Sequence, residues 1–184
     1  MNPQILAIRV PIQFGGRVLY NCGDPYTYEG HSYATVLIGT QCWFAENLRS
    51  ENYNTGTAIA TGLDNATWAA TTDGAVTVYD EGGANAVANL LTYGRLYNWY
   101  AVNTGNLCPS GWHVPTDGEY TTLTDGLGGT SVAVEKMKSS APAWNGTNTN
   151  GFSAPLRFCS RELFCEVNTS LKTASNSVVT AVAG

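Results

Sequence analysis

Leu107-Cys108-Pro109-Ser110-Gly111-Trp112-His113-Val114-Pro115-Thr116-Asp117-Gly118-Glu119-Tyr120 carries the sharpest local signal in the chain. Thr116 and Glu119 have the spacing of a capping box: the threonine hydroxyl accepts from the Glu119 amide, and the glutamate reaches back to the Thr116 amide. Pro115 precedes the box, and Gly126 is placed to end the helix in a left-handed cap. Thr116 and Glu119 are therefore read as a structural helix cap, with Asp117 suited to the first turn by the helix dipole.

Working outward, residues 131–138 suit a further short helix, and Val178-Val179-Thr180-Ala181-Val182 suits a strand. On the other side, Leu90, Tyr93, Tyr97 and Tyr100 fall at spacings of three and four, which predicts an amphipathic helix over 89–102 with an aromatic face. Residues 50–88 are rich in Thr, Asn, Gly and Ala and read as a long loop anchored by Trp68 and Tyr79. Before it, Tyr26-Thr27-Tyr28 and His31-Ser32-Tyr33-Ala34-Thr35-Val36-Leu37-Ile38 flank Glu29-Gly30 and predict a β-hairpin. Gly39-Thr40-Gln41 turns the chain into a third strand, Cys42-Trp43-Phe44. Residues 1–20 form an extension in which Arg9-Val10-Pro11-Ile12-Gln13-Phe14 alternates weakly, as a strand would.

A chain of 184 residues, 43% of them hydrophobic, can build one ordinary domain with extensions. Only 12% of its residues are charged, about half the usual share, and small neutral residues take their place, as is common outside cells. The net charge of -5 and the scattered Lys and Arg give no basic stripe, so nucleic acid is not an expected partner. No apolar run approaches the roughly 20 residues that span a bilayer. The first residues have neither a charged n-region nor a long apolar stretch, so an exported protein would carry its signal elsewhere or have lost it. Cys22, Cys42, Cys108, Cys159 and Cys165 form no C-x-x-C pair, and all five are disulfide candidates for an oxidising compartment.

Four stretches, in order, resemble the Fibrobacter succinogenes major paralogous domain, a module of bacterial surface and secreted proteins. They are Val36 through Leu48 (VLIGTQCWFAENL), Tyr93 through Val102 (YGRLYNWYAV), Leu107 through Tyr120, and Gly151-Phe152-Ser153-Ala154. The resemblance covers about residues 21–154, dividing the chain into an extension (1–20), the paralogous domain (21–154) and a divergent tail (155–184). That family is distantly similar to C-type lectins and formylglycine-generating enzymes. The implied fold is α+β and C-type-lectin-like, with two main helices packed on small antiparallel sheets and long ordered loops. After Ala154 the chain runs Pro155-Leu156-Arg157-Phe158-Cys159-Ser160 and departs from the family's pattern, which leaves the C-terminal strands unassigned.

Catalytic readings compete poorly with structural ones. Cys108 and His113 invite a nucleophile and base, but Pro109 and Gly111 lie between them and the resemblance gives the cysteine a structural place. The late cysteines Cys159 and Cys165 do not match the cysteine pair of the formylglycine-generating enzymes. Glu46, Asp117 and Glu119 could pair for glycoside hydrolysis, yet the cap already accounts for Glu119. Asp64, Asp73, Asp80 and Glu81 could offer oxygen ligands to calcium, although a solvated loop explains them better, and no cofactor is expected. Trp68, Tyr79, Trp144 and Asn145 sit in polar stretches where an exposed aromatic stacks on a sugar or anchors an interface. The expectation is a non-catalytic extracellular or cell-surface module for adhesion, binding a glycan or surface protein through loops 50–88 and 139–150. The alternative is a structural subunit of an appendage, filament or phage fibre, self-assembling through its extension and tail.

Overall fold

The structure, a computed structural model, describes residues 8–9, 20–140, 145–153, 178–180 and 182–183. The described elements run β1 (Ile8–Arg9), β2 (Tyr26–Tyr28), β3 (His31–Tyr33), β4 (Thr35–Ile38), β5 (Gln41–Phe44), β6 (Glu46–Asn47), α1 (Asn65–Ala70) and β7 (Val76–Thr77). They continue with α2 (Ala86–Tyr93), β8 (Leu96–Asn98), α3 (Trp99–Asn103), α4 (Asp117–Gly126), α5 (Thr130–Met137), β9 (Val178–Thr180) and β10 (Val182–Ala183). The fold is α+β, its strands paired antiparallel in small sheets ordered β1-β5-β4, β2-β3, β7-β8-β9 and β6-β10.

The hairpin β2–β3 forms as its sequence demands: Tyr28 pairs with His31, and both turn residues, Glu29 and Gly30, take the positive φ of a type I′ turn. The run from His31 to Ile38 is not one strand, however. The chain breaks at Ala34, whose N–H donates to Glu46 Oε1 and whose carbonyl accepts from Ala45 N, so β3 and β4 enter different sheets.

β5 divides the core. Side chains alternate across a strand, so Cys42 and Phe44 enter one cluster with Tyr33, Leu48, Val76, Tyr97 and Trp112. Trp43 points the other way, into a cluster with Leu123, Leu127, Ala133, Met137 and Phe152. On the first side Phe44 lies 4.9 Å from the Tyr33 ring, stacked, and 4.1 Å from Trp112. On the second, Trp43 meets Tyr120 and Phe152, and Gln41 Nε2 donates to the Glu119 carbonyl, which docks α4. Burying each such ring stabilises the fold by about 1.5–3 kcal/mol. A Cys22–Cys42 disulfide ties the start of the hairpin region to this strand.

The capping box at α4 is present in full. Its end differs from expectation: Gly126 stays helical, the cap residue Leu127 is buried in the Trp43 cluster, and positive φ falls at Gly128 and Gly129 instead. Burial of Leu127 thus carries the chain past the glycine. The helix expected over 131–138 appears as α5, one residue earlier.

The expected 89–102 helix is divided. α2 ends at Tyr93, Gly94 turns at φ 66°, and Leu96–Asn98 becomes a fully buried strand before α3 resumes the helix. A Cβ at Gly94 would lie 2.4 Å from Asn47 Cβ, so glycine lets the chain pass against β6. The helical spacing of Tyr93, Tyr97 and Tyr100 is therefore spread over three elements. Asn98 starts α3 by accepting from Ala101 N, while the same oxygen accepts from Ala75 N across to the β7 segment.

Residues 50–88 are also more ordered than their composition suggests. They contain α1, β7 and bridges Asn52↔Ala58 and Ala60↔Ala75. Ile59, Ala75, Val76 and Val78 are the buried anchors, whereas Trp68 is half-buried and Tyr79 exposed. In the extension, β1 covers Ile8–Arg9 and residues 10–14 of the expected strand lie outside the described residues. At the other end the single strand expected over 178–182 is instead two, β9 beside β8 and β10 beside β6.

Candidate functional site

The geometry converges where β6 meets the end of α2. The last carbonyls of a helix have no partner within it, and here side chains from the β6 segment take two of them. Asn47 Nδ2 donates to the Tyr93 carbonyl at 2.6 Å, and Arg49 Nη2 donates to the Leu91 carbonyl at 3.0 Å. A cation at this end also complements the helix dipole. Arg49 Nη2 is paired with Glu46 Oε2 at 2.8 Å, and Glu46 Oε1 is held by Ala34 N.

Between these elements lies a cleft of about 150 Å³, walled by Glu46, Asn47, Arg49, Leu91, Thr92 and Ser153. Ser153 has a positive φ of 53°, secured by Asn148, whose Oδ1 accepts from Ser153 N and whose Nδ2 donates to Ser153 Oγ. Asn47 is only 5% exposed, yet its Oδ1 has no hydrogen-bond partner, and the buried Arg49 Nε has none either. Buried polar atoms are rarely left this way.

Beside the cleft, α2 carries no buried residue and turns apolar groups outward: Val87 is 74% and Leu91 59% exposed. Tyr79, 46% exposed, stands edge-on to Tyr93 and is held to α2 by Asn89 Nδ2 donating to its carbonyl.

Of the residues singled out in sequence, Glu46 lines the cleft and Tyr79 borders the region. Trp68 lies on α1, its Nε1 buried without a partner, and Asn145 is exposed beside the Ser140–Gly146 bridge. Trp144 lies outside the described residues. Asp64 caps α1 by accepting from Thr67 N, which holds its carboxyl below the usual range. Glu81 accepts from Thr61 and Thr77, Asp73 is exposed, and Asp80 sits in a turn at positive φ. Among the described residues no three His, Cys, Asp or Glu side chains gather closely enough to hold a metal ion.

The remaining chemical candidates are occupied elsewhere. Cys108 is free and buried, and burial pushes its thiol up to about 12, so it stays protonated at neutral pH. His113 Nε2 is 2.8 Å from Glu119 Oε1, and Glu119 Oε2 accepts from Thr116 N. Partial burial alone would raise the Glu119 carboxyl, but the bonds from Thr116 and His113 outweigh it and hold the group below its ordinary value. Cys159 and Cys165 lie outside the described residues.

Residues 36–167 match the model of the Fibrobacter succinogenes major domain. The chain belongs to that family. All the cleft residues fall inside the matched span, whereas Cys22 and the β2–β3 hairpin precede it. No curated protein and no solved structure matches the chain. No helix among the described residues of this family member is long and apolar enough to cross a membrane. The cleft residues Asn47 and Arg49 were missed in the sequence, although Glu46-Asn47-Leu48 stands within the first motif that resembles the Fibrobacter domain.

Proposed function

We propose that this chain is a non-catalytic binding or adhesion module of the cell surface or extracellular space, with a C-type-lectin-like arrangement, that recognises a glycan or a surface protein. One observation carries the reading: a cleft with polar walls opens beside a helix whose apolar residues face solvent. Exposed apolar groups next to oriented polar ones are the makings of a recognition surface. The Cys22–Cys42 disulfide supports an oxidising location.

The second reading, a structural subunit, needs strands from the extension and the tail to join neighbouring chains. β1 pairs with β5, β9 with β8, and β10 with β6 inside this chain, which favours the first reading. The test is saturable binding of the folded chain to a broad glycan panel, with calcium and with chelator, alongside its size in solution. A hit weakened by Leu91→Ser or Tyr79→Ala is the expected result. A blank panel from a chain that forms a defined assembly would sink the reading and leave the structural subunit.

A further inference from the structure

We propose that Asn145 is a self-modification site, converted in the folded chain to aspartate and isoaspartate with water as the only co-reactant. The inference stands apart from the binding-module reading. Asn145-Gly146 is the only Asn-Gly step in the sequence. An asparagine carboxamide is attacked by the backbone nitrogen of the next residue, and a side chain on that residue obstructs the approach; glycine has none. Here glycine is also compulsory. A Cβ at Gly146 would lie 2.2 Å from Lys138 Cβ and 2.4 Å from the Lys138 carbonyl oxygen. The fold therefore cannot protect Asn145 by placing a bulkier neighbour after it. Asn145 is itself exposed, and among the described residues its carboxamide takes part in no hydrogen bond. Other asparagines show the contrast. Asn47, Asn54 and Asn89 donate to backbone carbonyls, and Asn148 bonds Ser153 through both of its side-chain atoms. Each of these is followed by leucine or threonine.

The nucleophile is Gly146 N, which donates to the Ser139 carbonyl at 3.1 Å. When the Ser140–Gly146 bridge opens, hydroxide removes the proton and the nitrogen closes on Asn145 Cγ. The Cγ–Nδ2 bond breaks, and the amide nitrogen leaves as ammonia after taking a proton from water. A second water then opens the five-membered imide. Cleavage at Cγ gives aspartate; cleavage at the Asn145 backbone carbonyl gives isoaspartate, whose main chain runs through the side-chain carbons. Either product adds a negative charge to the 139–150 loop. Isoaspartate also inserts an extra main-chain atom directly before Gly146. That residue is wedged against Lys138, and Thr147 is fastened to α5 by its N–H and hydroxyl, which donate to the Glu135 carbonyl at 2.8 and 3.1 Å. The lengthened chain therefore strains the end of α5.

The experiment is peptide mapping by mass spectrometry of the folded full chain, incubated in neutral and in mildly alkaline buffer, beside the same chain in urea. Asn145 is expected to gain one mass unit at least about tenfold faster than any other asparagine, and faster at the higher pH. The two products should separate by chromatography, and the isoaspartate should accept a methyl group from an isoaspartyl methyltransferase. The urea sample should react faster still, because the Ser139–Gly146 bond no longer restrains the nucleophile. Asn145→Gln, whose longer side chain disfavours ring closure, should show no conversion and should keep the hydrogen-exchange protection of α5 that the aged chain loses. Conversion in urea alone would mean that the fold seals the site, and it overturns the proposal. So does the absence of conversion in both samples, or another asparagine reacting as fast. Unchanged exchange in α5 once isoaspartate has formed overturns the strain.

Discussion

Helices α4 and α2 are similar in length and are held by opposite means. α4 begins in a complete capping box and buries Leu123 in the Trp43 cluster. α2 has no side-chain cap at its start and no buried residue; it is tied down through its C-terminal carbonyls by Asn47 and Arg49. A helix fastened by core burial presents its polar face to water, as most do. A helix fastened at one end by polar side chains is free to present apolar groups. That contrast separates a helix that builds the core from one that leaves apolar groups exposed at the surface.

The contrast breaks if α4 does not depend on its core contacts. Leu123→Ala should lower stability by about 2–5 kcal/mol in denaturant titration; a loss as small as that of a surface change would end the comparison. Asn47→Ala should cost less, about 1–3 kcal/mol, because the Tyr93 carbonyl loses its donor. Hydrogen exchange should then show faster opening of α2 with α4 unchanged, and equal acceleration in both would mean that the tether is not local.

The cap of α4 offers a smaller effect with a pH signature. Thr116→Ala should cost about 1 kcal/mol. Glu119 has a folded-state pKa held below its ordinary value by Thr116 and His113. The unfolded chain therefore binds more protons in the window between the two values, and stability rises with pH there. Its contribution is whole above the unfolded value of about 4.3 and is lost as pH falls through the lower folded value. Acid titration of Glu119→Gln should lack that component, and an unchanged profile would contradict the assignment. Smallest of all, Val87→Ser on the outer face of α2 should change stability by no more than about 0.5 kcal/mol. A larger loss would mean that this face is covered in the folded chain.

Much of the fold was legible because its signals are local. Thr116 and Glu119 lie three residues apart and need only each other, and Glu29-Gly30 needs only the backbone freedom of a tight turn. Family membership was equally readable, since its motifs are continuous runs. The break at Gly94 was not: nothing within 89–102 shows that Asn47 will press against that glycine or that residues 96–98 will be paired on both sides. The long stretch 50–88 misled for the same reason: its few buried residues are met by partners distant in sequence, as Ala75 is by Asn98.

What the sequence determined by itself was the family, the α+β class, the capped helix, the hairpin and the sparse charge of the surface. Only the tertiary structure decided the pairing of Cys22 with Cys42, the conversion of an apparent helix into β8, and the cleft. The physical reason is range. A cap or a turn is settled by atoms a few bonds apart. The cleft exists because residues 46–49 are carried to residues 91–94 and 153, which no local pattern in any of the three segments announces.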